Sequence, residues 1–165
     1  MILTNKPANW ETTPEMTGEF LTLPAGGYVC KIVNAEESET STGKECLILR
    51  IDISEGEYQN FFTNQYQNDT RQTPLWPNGG IYRQITEGSS LGFFKGMISA
   101  IEKSNKGYKW DWNPESLKNK LVGIIFQKEE YLGNDGTYKW STKPRFVRTV
   151  DKILSGDFII LGWFV

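Results

Sequence analysis

The chain contains no histidine. Acid–base chemistry through an imidazole, and the nucleophilic triads that need one, are therefore excluded. Cysteine is almost as scarce, with only Cys30 and Cys46. Two cysteines without histidine cannot complete the four-ligand set of a structural zinc site. No GxxxxGK[ST] phosphate loop occurs. The longest late apolar run, Phe158 to Val165, is too short to span a bilayer, and the opening MILTNKPANWETT lacks a charged-then-apolar targeting pattern. Nor is there an excess of base: the net charge is −2. The whole-chain basic footprint common in nucleic-acid binders is absent.

What is present is aromatic and unevenly charged. Six Trp, seven Tyr and nine Phe are more rings than a core of this size needs, so some can serve as working surface. Residues 1–60 hold four Lys and Arg against ten Asp and Glu, whereas residues 61–165 hold fourteen against ten. Within Lys139–Lys152 five bases meet one acid. Local charge of this kind creates a binding field that the total conceals, although a solvated strand face would read the same way.

Ser89–Tyr131 organises the rest. Leu91, Phe94, Met97, Ile98 and Ile101 recur at helical spacing, which predicts a helix over 90–104 with Ser89 or Ser90 at its cap and Asn105 and Gly107 as stop signals. Gly92 and Gly96, four apart, are expected to let another element approach closely. Trp110 and Trp112 read as structural, packing beside the helix end. A brief helical turn is expected at Pro114–Lys118, with Pro at its first position.

The flanks read as β. Strands are expected at 27–37, 45–53, 59–66, 121–131 and 137–150. The clearest is 45–53, where Leu47, Leu49, Ile51 and Ile53 share one face. Ile81–Ile85 reads either as a short strand or as the start of the helix. Leu132–Gly136 is a hairpin turn, because Asn, Asp and Gly tolerate positive φ. Pro144 lacks an N–H, so the last strand must be an edge or bulge there. On a hairpin closed at Glu39–Lys44 the two cysteines fall about 20 Å apart at strand rise. A disulfide needs Cα atoms within about 7 Å, so both are expected free, in a reducing cytoplasm.

The predicted order, β-β-β-α-β-β, is mainly β with one central helix. It matches an OB-fold-like five-stranded barrel. Residues 1–25 read as an N-terminal arm, with an extended piece at Glu19–Leu23 and Trp10 and Phe20 pinning it to the body. Residues 26–157 read as the domain, and 158–165 as a C-terminal segment.

Glu129 and Glu130 alternate in direction on a strand and make no carboxylate dyad. Glu36, Glu37 and Glu39 read as a solvated edge rather than a magnesium site. No enzyme, cofactor or metal is expected. Binding of single strands instead needs a basic groove along the backbone and rings that stack on bases. YKWSTKPRFVR supplies both: Tyr138 and Trp140 on one parity, Lys139, Lys143 and Arg145 on the other, with Arg148 beyond Pro144. A second candidate patch comprises Arg50, Phe61, Phe62 and Tyr66, with Arg71 and Trp76 in a loop able to close over a strand.

FFKGMISAIEKSNKGYKWDWNPESLKNKLVGIIFQKEEYLGNDG and VRTVDKILSGDF, together with LPAGGYVCKIVNAEE and LRIDISEGEYQNFF, resemble a family of small phage and prophage proteins of Gram-positive bacteria. The resemblance runs from about Leu23 to Phe158, and its motifs are mostly structural. Family members lie near replication and recombination genes and are often called single-stranded-DNA-binding proteins. The resemblance thus implies a partner of single-stranded DNA and of phage replication or recombination proteins. The cysteines and the short apolar run give the expectation of a cytoplasmic protein with no membrane association, and self-association is allowed. A protein–protein accessory module and a Trp-rich glycan-binding module are the alternative readings.

Overall fold

In the computed structural model, which describes residues 5–12, 15 and 22–160, five strands build one antiparallel sheet. They are β1 (Gly26–Glu39), β2 (Glu45–Ile53), β3 (Ile81–Ile85), β4 (Leu121–Leu132) and β5 (Tyr138–Arg148), in the order β3-β2-β1-β4-β5. The sheet curls until β3 and β5, its two edges, touch. No ladder joins them among the described residues, so the sheet stays open.

Alternation directs the core as expected. Leu47, Leu49, Ile51 and Ile53 of β2 are all buried. On β1 the register shifts between Ile32 and Asn34. A bulge of this kind switches parity, which lets Ala35 join Cys30 and Ile32 in the same cluster. Cys30 pairs with Ile53 and Cys46 with Ser38, near opposite ends of the hairpin, and both cysteines are free and buried.

The expected third strand, 59–66, is instead helix α1 (Phe61–Gln67). Asn60 takes φ 63°, which breaks an extended run. The buried Asp52 carboxylate accepts the amides of Phe62 and Thr63, both at 2.9 Å, and the Thr63 hydroxyl. An acceptor at the first turn satisfies N–H groups that a helix leaves open, and it draws Phe62 into the core. The strand that pairs with β2 is β3, so of the two readings of Ile81–Ile85 the strand is correct.

Helix α2 (Leu91–Ser104) follows, burying Phe94, Met97, Ile98, Ala100 and Ile101. Leu91 does not join this stripe and is exposed. Gly92 and Gly96 receive no close neighbour either: a Cβ at either position would meet nothing within 4 Å. Asn113 caps a short 3-10 turn, Pro114–Leu117. The last strand ends at Arg148, short of the expected 150. Thr149 then caps helix α3 (Val150–Leu154), its hydroxyl accepting from the Lys152 amide at 3.3 Å. Ile153 packs with Val29 and Ile125 in a second, smaller cluster on the sheet's other face. Glycine makes that contact feasible, because a Cβ at Gly123 would lie 2.4 Å from Ile153 and one at Gly27 2.6 Å from Phe158.

Trp110 packs against the core beside the helix end, and Trp112 meets Phe94 and Trp110 there while staying 74% exposed. Trp10 is exposed rather than pinning the arm. Phe20 and most of the extended piece expected at Glu19–Leu23 lie outside the described residues. No helix among the described residues is long and apolar enough to cross a membrane.

Candidate nucleic-acid interface

The open seam between β3 and β5, with α2 alongside, forms a groove of about 690 Å³. Its β5 wall is made by a proline. Ile125 pairs with Phe146 and Phe126 with Pro144, which leaves Arg145 unpaired in a bulge. Pro144 has no N–H to give the ladder, and a bulged residue is re-aimed away from it. Arg145 lines the groove, with its Nε 3.0 Å from Glu129 Oε1. Lys143 and Arg148 join it from β5 and Arg83 from β3. Burial pushes the Lys143 ammonium below the usual lysine range; the nearby Glu129 opposes that shift and Arg83 adds to it. The Arg148 guanidinium sits 5.5 Å from the Phe146 ring centroid.

Besides Phe146, two rings share this space. Tyr82 points inward from β3, its hydroxyl donating to Gln84 Oε1 at 2.9 Å. Burial raises its pKa, and the charges of Arg145 and Arg148 pull it back, which places both guanidiniums in its field. Phe93 stands on α2 at the groove wall, 70% exposed, with the open sides of Gly92 and Gly96 next to it.

Beyond Lys128 the β4–β5 hairpin projects from the body. Tyr138 pairs with Leu132 and Trp140 with Glu130, on the same face as Pro144 and Phe126. The two rings are 71% and 45% exposed. Lys139 pairs with Tyr131 on the opposite face, together with Lys143, as the parity predicts. Its ammonium lies 3.5 Å from Asp135. The basic, aromatic run of β5 therefore divides into a stacking face on the hairpin and a charged bulge in the groove.

The second patch is not part of this surface. Arg50 donates to Glu36 at 2.6 Å and to Asn34 at 3.3 Å. Phe62 is core, stacked 6.1 Å from Phe126, and Phe61 packs edge-on against it. Trp76 is partly buried, its Nε1 donating to the Gly80 carbonyl at 3.0 Å, and Tyr66 leans on it at 5.6 Å. Arg71 forks onto Asp69 at 2.5 and 2.8 Å, and that bond holds the Asp69 carboxyl well below the usual range. None of these six lines the groove. Their charges are matched locally, and most of their rings are spent on packing.

Tyr82, Arg83 and Phe93 are the residues that sequence reasoning missed. Only Phe93 left a signal, as an aromatic residue off the apolar stripe of its helix. No protein-family model matches the chain, and no curated protein matches it.

Proposed function

We propose that the protein binds single-stranded DNA with little sequence preference, and that its open sheet is an OB-type barrel with the β3–β5 seam unsealed. The strand order, with α2 between the third and fourth strands, supports the fold reading. OB-folds bind oligonucleotides on the strand 2–3 face and with the β1–β2 and β4–β5 loops, and here the β4–β5 hairpin projects beside the groove.

The observation that carries the function is the groove itself: Arg83, Lys143, Arg145 and Arg148 face a single acid, Glu129, in a chain of net charge −2. Phosphates run along these bases and release counterions, while bases stack on Trp140, Tyr138 and Phe93. Duplex DNA keeps its bases inside and cannot use the rings. The protein acts by binding rather than by catalysis, on single strands exposed during phage or mobile-element replication or recombination in the cytoplasm.

The test is anisotropy of a labelled oligonucleotide, single-stranded against duplex, over a range of salt. Salt-sensitive binding that favours the single strand is expected. Absence of binding at low salt, where the attraction is strongest, overturns the reading.

A further inference from the structure

A second cleft, of about 470 Å³, shares no lining residue with the groove. Its wall is aromatic. Phe94, Trp110 and Trp112 meet pairwise, with ring centroids at 5.8, 6.4 and 6.5 Å and planes inclined by 58° to 88°. The outermost ring, Trp112, is 74% exposed, and the buried Nε1 of Trp110 has no hydrogen-bond partner among the described residues.

The facing side is acidic. Glu37, Glu39 and Glu45 line it from the end of the β1–β2 hairpin. Glu39 and Glu45 are direct cross-strand partners, and Glu37 lies two residues along the same face. Like charges placed opposite each other destabilise a sheet. None of the three glutamates forms an ion pair among the described residues. The free protein therefore carries a repulsion that a bound cation would relieve.

We propose that this cleft docks a lysine- or arginine-bearing segment of a partner protein, which makes the molecule an adaptor between single-stranded DNA and that partner. Cations are attracted to the faces of Trp most strongly among the rings, and arginine both stacks and forks onto carboxylates. The carboxylates repel phosphate, so DNA is not the occupant. No group of three or more acidic or cysteine side chains among the described residues is arranged to hold a metal ion, which leaves an extended organic cation. Docking at the cleft stands without the DNA reading, because the two surfaces are separate; the adaptor role rests on that reading.

The test titrates a labelled Arg–Gly repeat peptide into the full chain at low salt, with a Glu–Gly repeat as control. Only the basic peptide is expected to bind. Trp112→Ala should weaken it roughly three- to thirtyfold, the range a cation–π contact supplies, and leave single-stranded DNA binding unchanged. Glu39→Gln with Glu45→Gln should weaken the peptide and flatten its salt dependence. That double variant should also melt at a higher temperature than the parent, since the repulsion is gone. Equal affinity in Trp112→Ala, no binding at low salt, or a double variant no more stable than the parent overturns the proposal. So does Trp112-dependent binding of a neutral oligosaccharide, or Trp112-dependent self-association seen by light scattering. These results assign the cleft to a glycan or to a second copy.

Discussion

Arg145 Nε lies 3.0 Å from Glu129 Oε1, so the base at the bulge of β5 is already held by an acid of the neighbouring strand. A phosphate entering the groove must compete for it. Removing the competitor should therefore help the ligand. Glu129→Gln is expected to tighten single-stranded DNA binding and to steepen its salt dependence by roughly 0.7, the slope of one single-strand phosphate contact. Affinities of both proteins at several salt concentrations decide it; weaker binding in the variant would show that the pair orients Arg145 rather than masks it.

The two faces of the hairpin and bulge should fail differently. Arg145→Gln and Lys143→Gln should each lower the salt slope by roughly 0.7, with the loss alike for all sequences. Trp140→Ala should cost roughly 1–3 kcal/mol with the slope nearly unchanged. The same titrations, run on a pyrimidine and a mixed-sequence oligonucleotide, separate the roles.

Asp52 predicts a stability effect rather than a binding one. Its carboxylate accepts from the amides of Ile53, Phe62 and Thr63 and from the Thr63 hydroxyl, while only 1% exposed. Asp52→Ala leaves several buried donors without an acceptor, each costing about 1–3 kcal/mol. A loss of at least about 3 kcal/mol in urea denaturation is expected, with fraying of α1 seen in amide exchange. The effect should greatly exceed that of Arg71→Ala, whose side chain is 62% exposed where it meets Asp69.

Alkaline pH should weaken the fold through Tyr28. Burial first, then the charges of Tyr58, Cys30 and Glu57, push its pKa from 10.0 up to about 12. Between those values the unfolded chain has released a proton that the folded protein keeps. Stability is thus fully present below 10.0 and falls as pH rises towards 12. Tyr28→Phe should make the urea midpoint less sensitive to pH across that window and delete one late step from the tyrosinate absorbance titration.

Local pattern carried most of the core. The alternation in β2 and the spacing of Phe94, Ile98 and Ile101 depend on neighbours within one element, and those residues are buried as their periodicity requires. The stretch 59–66 misled because its aromatic residues suit a strand, whereas its conformation is decided by a carboxylate ten residues earlier and by the left-handed Asn60. Half of the groove was legible in YKWSTKPRFVR, since basic and aromatic residues there are adjacent in sequence. The other half arrives on β3 and α2, and only the curl of the sheet brings Arg83 and Phe93 to Arg145. The cleft at Trp112 was hidden for the same reason: its acids and its rings are at least 49 residues apart.

The unsealed seam has a cost besides its use. Two strand edges that have no partner among the described residues are templates on which another chain can add itself, the first step towards fibrous aggregation. β3 offers only five residues for such growth. On β5 the proline removes a donor at 144, the bulge at Arg145 twists the edge, and Lys143 sets a charge along it. These are the devices by which exposed edges are kept from pairing. Pro144 thus shapes the bulge that carries Arg145 and also guards the opening. Replacing Pro144 with Val and Arg145 with Thr would present a regular β-forming edge, and the protein would polymerise through the same surface that now stays open.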